Sequence, residues 1–136
     1  TLFGLVIKNH NSIYNRDNAA YSSFINWDKI KNPEDCYKYI GTDKASCLSD
    51  YAITNGRLDI CLTLNEMQGY CIINVGRQTY NKSFTELFCQ KYFKTDSNAC
   101  LGIAAKAQGD VSICSKIDKN IYGGDSYYKN CLDNFK

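Results

Sequence analysis

Eight cysteines set the terms for this chain of 136 residues, because six of them fall in a pattern that occurs twice. Cys36, Cys47 and Cys61 are answered by Cys89, Cys100 and Cys114 at a constant offset of 53, with no gap. The residues between keep the same register. Cys36 opens Cys-Tyr-Lys-Tyr-Ile-Gly-Thr-Asp and Cys89 opens Cys-Gln-Lys-Tyr-Phe-Lys-Thr-Asp, while Leu48, Ala52 and Gly56 return as Leu101, Ala105 and Gly109. Three cysteines, a glycine and a Lys-Tyr-x-x-Thr-Asp core at one offset mark an internal duplication. Cys71 and Cys131 extend the match at an offset of 60, so the second copy carries seven extra residues around Tyr122-Gly123-Gly124-Asp125. Successive pairs begin at 36, 61, 89 and 114, a rhythm of 25, 28 and 25 that predicts four short units of two helical pieces each.

Turn signals fix the pairing expected of these cysteines. Gly41-Thr42-Asp43 lies about midway between Cys36 and Cys47, Leu64-Asn65-Glu66 between Cys61 and Cys71, and Lys94-Thr95-Asp96 between Cys89 and Cys100. Residues 118–125 fill the wider gap from Cys114 to Cys131. Two antiparallel helices joined by a tight turn bring residues equidistant from that turn side by side. The geometry therefore predicts Cys36–Cys47, Cys61–Cys71, Cys89–Cys100 and Cys114–Cys131, one of 105 connectivities open to eight cysteines. Loops of this length stabilise by roughly 3 kcal/mol each in the chain-entropy model. A structural zinc site would want close Cys-x2-4-Cys knuckles and a redox site Cys-x-x-Cys, and the sequence has neither.

An even, regularly spaced cysteine set belongs to an oxidising compartment, so the chain reads as an exported protein, secreted or at the cell surface. It shows no signal peptide, which fits a mature form whose leader has been removed. Net charge is +2 with Lys and Arg scattered, so no basic stripe invites nucleic acid or an anionic membrane. The length suits one compact domain, and a single proline argues against an all-β fold. The many Asn, Tyr and Ile residues lower helix propensity, leaving packing and staples to hold the helices.

The most apolar run is at the start: Leu2, Phe3, Leu5, Val6 and Ile7. It is too short to span a bilayer. Docking on the core, the stub of a membrane anchor, and an arm packed into a neighbouring subunit are the three readings open to it. Ile13, Ala20, Phe24 and Trp27 then recur with helical periodicity from Asn11 to Ile30, with Asn11-Ser12 as a start and Asn32-Pro33 as a stop. An apolar N-terminus running into an amphipathic helix and then a disulfide-bonded head resembles the pattern of pilin-like subunits. That resemblance implies self-assembly through the arm. A full pilin helix carries roughly twenty apolar residues; the run here has at most seven, and Lys8-Asn9-His10-Asn11 interrupts it.

Pro33-Glu34-Asp35 is expected to open the first repeat helix, with Pro at a first helical position and acids near the positive end of the dipole. Asp43 and Asp96 are expected as N-caps, Gly56 and Gly109 as left-handed C-caps, and Asp59 and Asp110 as starts of short third helices. Gly69 to Val75 reads as the fourth helix of the first copy. Residues 76–83 link the copies and carry Asn81-Lys82-Ser83, an N-glycosylation acceptor pattern. No named repeat consensus matches; the tetratricopeptide period of 34 is absent.

Candidate chemistry is sparse. His10 is the sole histidine, and Glu34, Glu66 and Glu86 are the only glutamates. A hydrolase would need two carboxylates facing one cleft. Asp118-Lys119-Asn120 is similar to the opening of a calcium loop but departs from it at Tyr122 and at Lys129. Tyrosine is abundant, at eleven residues. Tyr37, Tyr39 and Tyr92 read as half-buried packing. Tyr122, Tyr127 and Tyr128, in or beside the seven-residue insertion, read either as contacts for a protein or glycan or as a cover over their own helices.

The expected fold is all-α: an N-terminal arm and amphipathic helix (1–32), then four disulfide-stapled helical hairpins in two duplicated copies (33–80 and 81–136), stacked like a solenoid in one domain. The expected role is non-enzymatic, with no cofactor and no metal. The chain reads as an exported structural or interaction protein that assembles with itself or with another extracellular protein through residues 2–7. It would touch a membrane only through an N-terminal anchor. The alternative is a secreted binding module for a protein, glycan or small apolar ligand that uses Tyr122, Tyr127 and Tyr128.

Overall fold

The computed structural model describes residues 25–136, which fold as helices and turns with no strand among them. The α-helices are α1 (Gly41–Asn55), α2 (Leu58–Cys61), α3 (Gln68–Thr79), α4 (Glu86–Tyr92), α5 (Asn98–Gln108) and α6 (Gly124–Asp133). Shorter 3-10 turns occupy Trp27–Lys29, Pro33–Cys36 and Val111–Lys116. The chain divides into two compact units, with the boundary between Ile72 and Ile73, inside α3. The apolar run Leu2, Phe3, Leu5, Val6 and Ile7, His10, and residues 11–24 of the helix expected from Asn11 to Ile30 lie outside the described residues.

Disulfides join Cys36 to Cys47, Cys61 to Cys71, Cys89 to Cys100 and Cys114 to Cys131, with Cα separations of 5.4 to 5.7 Å. Each closes a short loop and joins one helical piece to the next. All eight half-cystines are at most 1% exposed. The sulfurs are therefore much of the interior, and they supply what helices this short cannot supply alone.

In the first unit, α1 buries Ala45, Cys47, Leu48 and Ala52 against Leu58, Ile60 and Cys61 of α2. Gly56 ends α1 in the left-handed region (φ 63°), and the Arg57 N–H returns to the Ala52 carbonyl at 2.8 Å. In the second unit Gly109 ends α5 at φ 64°, and the Asp110 N–H returns to the Ala105 carbonyl at 3.0 Å. Only a residue without Cβ takes these angles at little cost, so the sequence marks both helix ends.

Other starts differ from expectation. The helix expected to run to Ile30 is not α-helical over its described end. Trp27–Lys29 is a single 3-10 turn, and the Asn26 N–H is taken by the Tyr39 hydroxyl at 3.2 Å. Pro33–Cys36 is likewise one turn rather than a full helix. Asp35 accepts the Lys31 and Asn32 N–H groups at 2.7 and 3.0 Å, which tightens the entry and holds its carboxyl below the usual range. Asp43 is not a cap. α1 begins two residues earlier, at Gly41 (φ 57°), with Ile40 in the capping position. Asp96 stands one residue outside the Ser97 cap of α5 yet still accepts the Asn98 N–H at 3.1 Å. Asp59 lies inside α2, whereas Asp110 caps Val111–Lys116 by accepting the Ser112 N–H.

The second unit is organised by Phe84, which is fully buried. Its ring begins a ladder with Phe88 and Tyr92 at centroid distances of 4.9 and 4.8 Å. Gly76 lets this ring approach: a Cβ there would stand 2.7 Å from Phe84 Cζ and 3.0 Å from Ile103 Cδ1. The segment before α4 is tied to the end of α5. Lys82 Nζ donates to the Ala107 carbonyl at 2.6 Å, and Gln108 Nε2 donates to the carbonyls of Lys82 and Phe84.

Candidate functional site

One concavity of the first unit is a groove of about 600 Å³ between the Pro33–Cys36 turn, the opening of α1, and α2 with the turn that follows it. Buried Ala45, Leu48, Ile60 and Leu64 are apolar lining, and the volume falls within the range of ligand-binding clefts. The Cys36–Cys47 bond holds the turn against α1, and Cys61–Cys71 ties α2 to α3. The walls are thus fixed covalently rather than by a large core.

The polar lining carries both charge signs. Lys44 Nζ stands over the Tyr37 ring at 5.1 Å, within cation–π range. Tyr37 is 57% exposed and not half-buried as expected, because the chain leaves helical geometry soon after Cys36 and turns the ring outward. Tyr39 and Tyr92 are half-buried. Arg57 grips Asp59 with two parallel bonds of 2.9 Å, from Nε and Nη2. The hydrogen bonds from Arg57 hold the Asp59 carboxyl below its usual range, and Asp59 with the more distant Glu34 raises the guanidinium. Both partners are exposed, so the pair contributes orientation more than stability. Glu34 and Glu66 also line the groove.

Three carboxylates therefore share one groove, the arrangement a hydrolase needs first. The carboxyl whose proton is held into the neutral range is elsewhere. Asp50 on α1 lines a second cavity of about 340 Å³, and burial raises it to about 7. The acid with the raised pKa and the ion-paired carboxylate are thus in separate cavities.

The tyrosines of the insertion differ in exposure. Tyr122 is fully exposed, beside the left-handed Gly123 (φ 79°) that starts α6. Tyr127 and Tyr128 are half-buried on α6, and Lys119 Nζ stands 4.3 Å from the centre of the Tyr128 ring. Two of the three rings therefore pack on their own unit, and one points to solvent. The Asn81 side chain accepts the Ser83 N–H at 2.7 Å, which makes the acceptor pattern a tight turn.

Sequence reasoning missed Lys44, Arg57 and Asp50. Arg57-x-Asp59 directly after a helix-ending glycine was the available signal for the ion pair. Nothing in the sequence distinguishes Asp50 from the exposed acids. Among the described residues no group of three or more His, Cys, Asp or Glu is placed to hold a metal ion, and no helix is long and apolar enough to cross a membrane. No protein-family model, no curated protein and no solved structure matches this chain.

Proposed function

We propose that this chain is a non-enzymatic interaction protein, exported and held rigid by its disulfides, whose groove beside Tyr37 engages another extracellular protein. The observation that carries this reading is the pairing of Lys44 over the exposed Tyr37 ring, at the edge of a cleft with an apolar lining and charges of both signs. An exposed aromatic with cations and carboxylates beside it suits an extended polypeptide segment, where aromatic and Arg side chains dominate contact energy. We read the frame as two duplicated copies, each of two stapled helical hairpins. The constant offset of the cysteines and the matching caps at Gly56 and Gly109 support that reading. Four disulfides in a chain of this size mark an oxidising compartment, and export to the cell surface or medium is the corresponding proposal.

Selection of peptides from a random displayed library on the immobilised, oxidised protein tests the groove. Enriched peptides should bind Tyr37→Ala and Lys44→Ala variants at least about tenfold more weakly, the loss of one anchor residue. Peptides that bind these variants as well as the parent chain would place the binding surface elsewhere.

A second reading is favoured by the apolar run Leu2, Phe3, Leu5, Val6 and Ile7. Through it the chain would join copies of itself into a pilin-like surface assembly. Light scattering on the whole chain and on a form lacking residues 2–7 separates the two readings. Assembly lost on deletion supports the arm as the joint; a truncated form that assembles normally refutes it.

A further inference from the structure

The second cavity of the first unit lies between the segment around the Trp27–Lys29 turn and the later part of α1. Trp27, Ile30 and Tyr51 supply apolar and aromatic wall, and Asp28, Lys31, Asp50 and the Tyr51 phenol are the ionisable groups of its described lining. Asp50 follows Cys47 by one helical turn, so the stapled face of α1 draws it inward. Burial alone raises its carboxyl, and its charge in turn raises the Tyr70 phenol of α3, where burial is the larger cause. The ion pairs among the described residues join other side chains: Arg57 to Asp59, Lys116 to Glu86 and Lys136 to Asp133. Asp50 has thus lost water without forming an ion pair with Lys31, the cation of the described lining, or with any other described residue, a cost that a positive ligand would relieve. Beside it stands an indole, the aromatic group with the strongest attraction for cations.

We propose that this cavity is a binding site for a small organic ammonium cation, with Asp50 as its counter-ion and Trp27 as its aromatic wall. The site is separate from the groove beside Tyr37 and does not depend on that reading. A volume of about 340 Å³ limits the ligand to a small one. Deprotonation of Asp50 and ligand binding are coupled, so the ammonium ion binds the ionised form and releases a proton as it does so.

Trp27 is the only tryptophan of the chain, so its fluorescence reports on this cavity alone. The whole oxidised protein is titrated at pH 8 with butylammonium and, separately, with butanol as the neutral isostere. A saturable change with the amine and none with the alcohol is expected. At pH 5.5 Asp50 is almost wholly protonated, and the apparent affinity should fall about 30-fold. The same fall is expected in His10→Gln, which removes the sole histidine of the chain. Asp50→Asn keeps the shape and should lose binding at both pH values. Equal responses to amine and alcohol, no saturation up to about 50 mM amine, or affinities at the two pH values within threefold would each overturn the proposal. Undiminished binding to Asp50→Asn would do the same.

Discussion

The side-chain amide of Asn98 clasps the backbone of Asp118 from both sides: Nδ2 donates to the Asp118 carbonyl at 2.9 Å, and the Asp118 N–H donates to Asn98 Oδ1 at 2.9 Å. Asn98 is the first residue of α5 and is almost completely buried. One side chain thereby fixes where the long turn before α6 departs. Asn98→Ala should lower unfolding stability by about 2–3 kcal/mol, because two backbone groups lose their partners in a buried place. Asn98→Asp keeps the acceptor, loses the donor and sets an oxygen against the Asp118 carbonyl, so it should cost at least as much. Urea denaturation of the oxidised proteins measures both; a loss below about 0.5 kcal/mol for Asn98→Ala would mean that the clasp is ornamental.

Two glycines should respond to alanine in opposite directions. At Gly124 an added Cβ would meet the Asp118 carbonyl oxygen at 2.3 Å and Lys119 Cα at 2.7 Å, both backbone atoms. Gly124→Ala must therefore displace the turn that Asn98 holds, at about 2 kcal/mol or more. Gly102 lies inside α5, and its Cβ would meet nothing within 4 Å. Gly102→Ala should stabilise by about 0.5–1 kcal/mol through helix propensity. Melting temperatures that moved the same way for both variants would contradict this account.

Asp50 gives the stability a distinct pH dependence. Its carboxyl titrates near 7 when folded and near the ordinary 3.8 when unfolded, because burial disfavours the charge. Between those values the folded state holds more protons than the unfolded one, so stability falls as pH rises and levels off above 7. The contribution lost between pH 4 and pH 8 is up to about 4 kcal/mol. In Asp50→Asn this component should vanish, leaving a flatter profile across the same interval. Parallel profiles for the two proteins would show that Asp50 is hydrated in solution.

The fourth disulfide closes the longest of the loops, 17 residues against 10 or 11. Replacing Cys114 and Cys131 together with Ser should cost roughly 3 kcal/mol, slightly more than removing either of the pairs separated by 11. Non-reducing peptide mapping should return four peptide pairs, each joining neighbours in sequence. Any bond from a cysteine before Ile72 to one after Ile73 would contradict the described connectivity.

What the sequence made legible was whatever chemistry dictates locally. The cysteine spacing around turn-forming residues points to bonds between neighbours, and Gly56 and Gly109 announce helix ends because few other residues enter the left-handed region easily. The all-helical character follows from the same units. The starts of elements were less readable. Asp43 looks like a cap, but Gly41 and the extended Ile40 let α1 begin earlier, and Pro33 opens a turn that the chain abandons within four residues. The candidate sites were mostly hidden. Lys44 over Tyr37 and the burial of Asp50 arise from tertiary placement, and neither residue differs in local pattern from its exposed neighbours.

With every sulfur bridge shut inside the protein, a reducing agent meets no accessible target on the native surface. Thiolate attack needs an approach along the bond axis, so exchange has to wait for local or global opening. The lifetime of this chain in a mildly reducing medium is therefore set by how often it opens as well as by how much reductant surrounds it.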